Sequence, residues 1–235
     1  MKMESRIADS NGTAIHYLDC NAEGSLVPLL ICPGLSETAE EYADLMAYLL
    51  PRRSVALSFR GRGRSGTPET GYGLEGHIAD IASVVKAAGL NRFHLFGHSR
   101  GASYALGYAE RYPSHVVSIT VEDYPPMHKQ MPTGWDDAYI HQYLIPFSRQ
   151  KNIRPEAVRG IGRESQQYEF NYRTDKRLLV LRGMHQDSLL DGDAVQAYYR
   201  MNPNAIVMEF LASGHDIRST EKDRMYREIS SFLSG

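Results

Sequence analysis

The chain has 235 residues, 42% hydrophobic and 23% charged, with a formal net charge of −2. That length suits one large α/β domain with a sizeable core, and the near-neutral balance gives no reason to expect nucleic acid or an anionic membrane as partner. The opening MKMESRIADSNG carries charges where a signal peptide needs an apolar core, and no apolar run approaches a membrane span.

In chain order, Ser5 to Asp9 and Thr13 to Cys20 flank Asn11-Gly12, a strong hairpin signal. Val27 to Cys32 is a continuous apolar run, as expected of a strand covered on both faces. It ends in Pro33-Gly34, and a helix is expected from near Thr38, with Tyr42, Leu45, Met46 and Leu49 on its apolar stripe. Arg53 to Phe59 is the next strand, followed by the loop RGRGRSGTPETGYG. A helix is expected over Leu74 to Ala88, closed by Gly89. The strand Phe93 to Phe96, the helix Ala102 to Tyr112 and the β-branched run Val116 to Val121 come next. From 124 to 176 the rhythm gives way to aromatic, polar, helix-like sequence, too short for an independent domain and expected to cap the sheet edge where such folds bind ligands. Order returns with the strand Arg177 to Leu181, a helix near Ala194 to Met201, the strand Ala205 to Leu211 and a helix from Thr220 to Leu233. A hairpin followed by strand–helix units predicts a single α/β domain over 1–235, with a mostly parallel sheet and helices on both faces.

Gly97-His98-Ser99-Arg100-Gly101 fits the G-x-S-x-G nucleophile elbow, with an expected strand before it and a helix after it. The serine of such an elbow sits in strained backbone geometry, so both glycines are needed to let strand and helix approach. A hydroxyl needs a base, and the order expected here is serine, acid, histidine. His215, after the last strand, is the candidate base. His16 and His94 fall inside strands, His98 inside the elbow, and His185 before the acid. Asp187, in RGMHQDSLLD, is the favoured acid to orient the imidazole. Asp123, just past Val116 to Val121, is its rival, whereas Asp191 and Asp193 read as the start of a helix. The backbone amides of Leu35 and Arg100 are the expected oxyanion donors. Trp135, Tyr139 and Tyr143 are candidate substrate contacts, although the spacing of the two tyrosines also suits simple packing. Arg60, Arg62 and Arg64 could bind an anion, but tying their loop down is the better reading. Neither Cys20 nor Cys32 has a metal-ligand or redox spacing, and both are expected to be buried and reduced in a soluble, cytoplasmic protein.

Together the elbow GHSRG, the Asp187 loop RGMHQD and the terminal SGHD make the chain resemble the α/β-hydrolase superfamily over nearly its whole length. Two departures stand out. Ser58 lies near the place where the family commonly has an aspartate before Arg-Gly, and Pro33-Gly34 replaces a frequent His-Gly. The resemblance implies an eight-stranded sheet with its second strand antiparallel, and Cys20 and Cys32 too far apart to meet. A serine nucleophile disfavours the epoxide- and haloalkane-cleaving members, which need a carboxylate there. The expected activity is a serine hydrolase of a small ester, lactone or thioester, acting through an acyl-Ser99 intermediate with no metal or cofactor. Hydrolysis of a carbon–carbon bond in a β-diketone-like substrate, or ligand sensing on the same fold, are the alternatives. Only a small-molecule acyl substrate is expected as partner.

Overall fold

The computed structural model describes residues 2–235. Strands β1 (Met3–Ser10) and β2 (Thr13–Cys20) pair antiparallel across Asn11 and Gly12. Both turn residues have positive φ, 51° and 84°, as a tight hairpin turn that matches the twist of its strands requires. β3 (Leu29–Cys32) is wholly buried. The helix expected from Thr38 is broken in two: a 3-10 turn (Ala39–Tyr42) opens with a Thr38/Glu41 capping box and runs into the short α1 (Ala43–Tyr48). β4 (Ser54–Leu57), α2 (Leu74–Ala87), β5 (Phe93–His98), α3 (Arg100–Arg111) and β6 (Val116–Glu122) follow.

Between β6 and β9 the chain builds β7 (Met127–His128), α4 (Trp135–Tyr139), α5 (Pro155–Glu164) and β8 (Tyr168–Glu169). α4 continues into a π-helical turn over Ile140–Leu144, and β8 pairs antiparallel with β7 at the base of the segment. Then come β9 (Arg177–Gly183), α6 (Gly192–Met201), β10 (Ile206–Phe210), α7 (Ile217–Thr220) and α8 (Lys222–Ser234). The expected last helix is thus divided at Glu221, whose carboxylate turns back to accept from the Ala212 amide and the Ser213 hydroxyl.

The main sheet has eight strands in the order β1-β2-β4-β3-β5-β6-β9-β10. β2 runs antiparallel to both its neighbours, and every pairing from β4 onward is parallel. Alternation along the strands splits the core into two layers. Leu95, Leu178 and Val180 face the layer of α2, α3 and α6 with Ile81, Leu106 and Tyr198. Phe96, Leu179 and Leu181 face the layer of α1 and α8 with Leu45, Met46 and Ile229. Both faces being covered explains the continuous apolar runs. A third, smaller cluster (Tyr72, Ile140, Leu144, Ile153, Ala157, Val158, Ile161) gives the 124–176 segment its own packed interior against the loop before α2.

That loop is held by its arginines. Arg60 makes a buried forked pair with Asp80 of α2, as close as 2.6 Å. Arg62, fully buried, donates to the carbonyls of Leu35 and Arg60 at 3.1 and 2.7 Å. Arg64 is exposed, 3.5 Å from Glu40. Ser58 instead accepts the Ala39 amide at 2.9 Å, tying the loop to the turn before α1. Among the described residues no helix is long and apolar enough to cross a membrane.

Candidate active site

Ser99 sits between β5 and α3 with φ 51° and ψ −133°, a conformation that non-glycine residues rarely adopt. Its amide donates to Glu122 O at 3.0 Å and its carbonyl accepts from Ala102 at 2.9 Å, so both sides of the strained residue are fastened. The flanking glycines are required by contact. A Cβ on Gly97 would lie 2.5 Å from Ala102 Cα, and one on Gly101 would lie 2.2 Å from the carbonyl oxygens of Cys32 and Pro33. The elbow therefore exists only where two adjacent backbones can touch, and it lifts the Ser99 side chain off the sheet edge at the head of a helix.

His215, in the loop after β10, reaches Ser99. Its Nε2 lies 2.9 Å from Ser99 Oγ, the hydroxyl donating when the ring is neutral and protonated at Nδ1. Nδ1 then donates to Asp123 Oδ2, also at 2.9 Å. Asp123 is the residue right after β6, with φ 44°, and its side chain is fully buried. Its Oδ1 accepts the Gly183 amide at 3.1 Å and the Ser188 hydroxyl at 2.6 Å, while Oδ2 also accepts the Leu189 amide at 2.9 Å. A buried carboxylate that accepts from four donors is held still.

The expectation that Asp187 would orient the imidazole is not met in this geometry. Asp187 is exposed, and its Oδ2 accepts only the backbone amide of His215, at 3.3 Å. The path of the loop explains why. After β9 the amides of Met184 and His185 fold back onto Ser213 O at 2.8 and 2.9 Å, and Ser188 is the residue that turns inward. Asp187 is left outside, packed so tightly on the Gly214 peptide that a Cβ there would lie 1.8 Å from Oδ1. The signal for Asp123 was present in the sequence: an aspartate directly past a β-branched run and before Pro125-Pro126. β6 extends one residue beyond expectation, to Glu122, so Asp123 stands at the very end of the strand.

Gly34 lies beside Ser99, since a Cβ on it would come within 3.3 Å of Ser99 Cβ. Among the described residues, no hydrogen bond engages the amides of Leu35 or Arg100. The Arg100 amide opens α3 one residue after Ser99, and the Leu35 carbonyl accepts from Arg62 Nε at 3.1 Å. The Arg100 side chain leaves the site altogether. It is buried against Tyr104 Oη at 3.0 Å and Ser165 Oγ at 2.6 Å, joining α3 to the 124–176 segment.

A cavity of about 420 Å³ opens over Ser99 and His215, with Leu35, Glu37, His98, Tyr139, Tyr143, Arg149 and Arg218 in its wall. Of the expected substrate contacts, Tyr139 and Tyr143 reach it. Trp135 is absent from its wall: it stacks on Tyr139, 5.2 Å between ring centroids, and packs on the interior of its own segment. Arg149 and Arg218 were missed because they come from distant parts of the chain and carry no local motif. Both are paired, Arg149 with Glu41 at 3.1 Å and Arg218 with Glu37 at 2.7 Å.

Comparison with known proteins agrees with this architecture. A 2-(acetamidomethylene)succinate hydrolase of Mesorhizobium japonicum is 32% identical over 110 residues, 46% of this chain and 40% of that protein. An N-formylmaleamate deformylase of Pseudomonas putida is 31% identical over 120 residues, 49% of this chain and 43% of that one. The matches thus span less than half the length of these curated relatives. Among solved structures, an esterase from Exiguobacterium antarcticum superposes with a TM-score of 0.82 at 19% identity, covering 99% of this chain and all of the other. An E-2-(acetamidomethylene)succinate hydrolase gives 0.77 at 20% identity with complete coverage of both. The profile of the alpha/beta hydrolase fold matches residues 27–228, and the chain belongs to that family.

Proposed function

We propose that the protein is a serine hydrolase that cleaves a small carboxylic ester, lactone or thioester through an acyl-Ser99 intermediate, with Asp123 and not Asp187 as the third member of its triad. The observation that carries this reading is the unbroken chain Ser99 Oγ, His215 Nε2, His215 Nδ1, Asp123 Oδ2, with 2.9 Å at each hydrogen bond.

In this mechanism His215 Nε2 takes the Ser99 proton as Oγ bonds to the substrate carbonyl carbon. The carbonyl oxygen becomes an oxyanion, received by the amides of Leu35 and Arg100. Collapse breaks the bond to the leaving group, which takes the proton from His215. Water then attacks the acyl-enzyme with His215 again as base, releasing the carboxylic acid and restoring Ser99. Asp123 fixes the Nδ1–H tautomer and stabilises the transient imidazolium. The 124–176 segment acts as a cap whose Tyr139 and Tyr143 help limit the acyl group to modest size. Two buried free thiols suit a reducing, cytoplasmic setting.

A second reading concerns the substrate. Two relatives are named for a succinate and a maleamate derivative, and here Arg149 and Arg218 stand in the cavity wall. Each is already paired with a carboxylate of the same wall, so an acyl group that carries its own carboxylate would have to share Arg149 with Glu41 or Arg218 with Glu37. The first reading is tested by intact-mass labelling with a fluorophosphonate. One adduct is expected on the wild type and none on Ser99→Ala, with His215→Ala slowed at least ~10³-fold. An unlabelled, folded wild type would contradict it. The second is tested by Arg149→Ala, expected to lower kcat/KM for acidic esters ~10-fold more than for neutral ones of equal size.

A further inference from the structure

Glu37 lies three residues past Gly34, and no step of the proposed reaction uses it. Its carboxylate nevertheless stands where three separate loops of the site converge. Oε2 accepts the Gly34 amide at 2.7 Å and the Tyr42 hydroxyl at 2.6 Å, and it faces His98 Nδ1 at 2.8 Å. Oε1 accepts from Arg218 Nη2 at 2.7 Å. Gly34 belongs to the loop after β3, beside the Leu35 amide. His98 is the residue before Ser99 at the end of β5. Arg218 comes three residues after His215, in α7 directly after the loop that follows β10. One side chain therefore ties the candidate oxyanion loop, the nucleophile elbow and the base loop together.

The surroundings show that the clamp is built rather than incidental. A Cβ on Gly34 would lie 3.0 Å from Glu37 Oε2 and 3.1 Å from His98 Nδ1, leaving little slack. The Arg218 guanidinium lies 4.2 Å over the Tyr42 ring and donates a second bond to Glu41 O at 3.0 Å. The His98 ring stacks on that of His215, 5.3 Å between centroids and 28° between planes. Burial opposes charge on His98, but Glu37 and then Glu122 outweigh it and raise its pKa to about 10. Burial likewise opposes ionisation of Glu37, yet His98 and Arg218 hold it well below the usual carboxylate range. At neutral pH the clamp is thus an anion between two cations, and its hydrogen bonds are charge-assisted.

We propose that Glu37 is a positioning residue for acyl transfer: its one carboxylate sets the oxyanion donors, Ser99 and His215 in mutual register. The inference rests on the serine-hydrolase reading. Its physical basis is that β3, β5 and β10 deliver these loops independently, while stabilisation of the oxyanion is lost when donors shift by fractions of an ångström. A group of this kind acts on the transition state and leaves ground-state binding nearly untouched.

The test compares wild type with Glu37→Gln, which keeps the shape of the side chain and removes its charge. The readouts are the rate of fluorophosphonate labelling per active site, kcat and KM on an activated ester, and affinity for an aryl boronic acid that mimics the tetrahedral adduct. Loss of a whole oxyanion donor costs ~10²–10³ in kcat, so a displaced donor set is expected to cost ~10–100-fold. Labelling rate, kcat and boronate affinity should fall together by that factor, with KM within ~3-fold. A variant that melts like wild type and labels at the wild-type rate overturns the clamp while leaving the hydrolase reading intact. A smaller labelled fraction that still reacts at the wild-type rate also overturns it, because Glu37 would then serve folding only. A wild type that never labels overturns both. Should Glu37→Gln fail to fold, Arg218→Gln removes one partner whose side chain is 15% exposed. A ~5–10-fold fall in kcat at constant KM supports the clamp, and no change overturns it.

Discussion

The loops after β6 and β9 leave adjacent strands at the same edge of the sheet, paired up to Glu122 opposite Leu181. Each carries an aspartate to His215. The first loop is short and turns at once: Asp123 takes φ 44° and buries its carboxylate among four donors. The second is longer, and it presents Ser188 to the interior and Asp187 to the solvent side of the His215 peptide. What separates the two acids is the supply of buried donors, not distance along the chain or nearness to the histidine. A carboxylate can hold an imidazole in one tautomer only if its own lone pairs are already fixed. The end of β9 and its loop thus contribute a hydroxyl and two amides to Asp123 of the neighbouring loop.

The largest effect is expected from removing that acid. Asp123→Ala should lower kcat/KM by ~10³–10⁴ while the fold persists, measured on an activated ester. An effect under ~10-fold would break the contrast between the loops. Next comes the support it receives. Ser188→Ala deletes the 2.6 Å bond to Oδ1 and should cost ~10-fold in kcat, in line with the loss of one hydrogen bond to a charged group. If that variant were silent, Asp123 would be held well enough by backbone amides alone.

Gly183 at the end of β9 and Gly214 in the loop after β10 sharpen the comparison through stability. A Cβ on Gly183 would meet Gly214 O at 2.0 Å, a backbone atom that cannot yield, so Gly183→Ala should lower stability in chemical denaturation by ~2–3 kcal/mol. A Cβ on Gly214 meets the exposed side chain of Asp187, which can swing into water, so the same change there should cost under ~1 kcal/mol. Comparable losses at both sites would mean that Asp187 is as fixed as the buried acid. The smallest effect is expected from Asp187→Asn, within ~3-fold in kcat/KM, because an amide oxygen still accepts from the His215 N–H.

The hairpin at Asn11-Gly12, the alternating strands and helices and the elbow around Ser99 were legible because each depends on neighbours in sequence. So was His215, once the histidines inside strands were set aside. Which aspartate meets the His215 ring was not: choosing between Asp123 and Asp187 requires knowing which loop turns inward, and that is decided by the amides of Met184 and His185 folding onto Ser213. The aromatic spacing of Trp135, Tyr139 and Tyr143 located a helical face, but only packing decides which ring meets the cavity. Glu37 shows the same limit. Its partners stand at positions 34, 42, 98 and 218, and no local pattern brings them together.

The measurement closest to the central claim is the rate of Ser99 phosphonylation in Asp123→Ala beside Asp187→Ala, each normalised to active sites. The triad assigned here predicts a fall of at least ~10³-fold in the first and less than ~5-fold in the second. The reverse order, or equal losses in both, would contradict it and return the acid to the loop after β9.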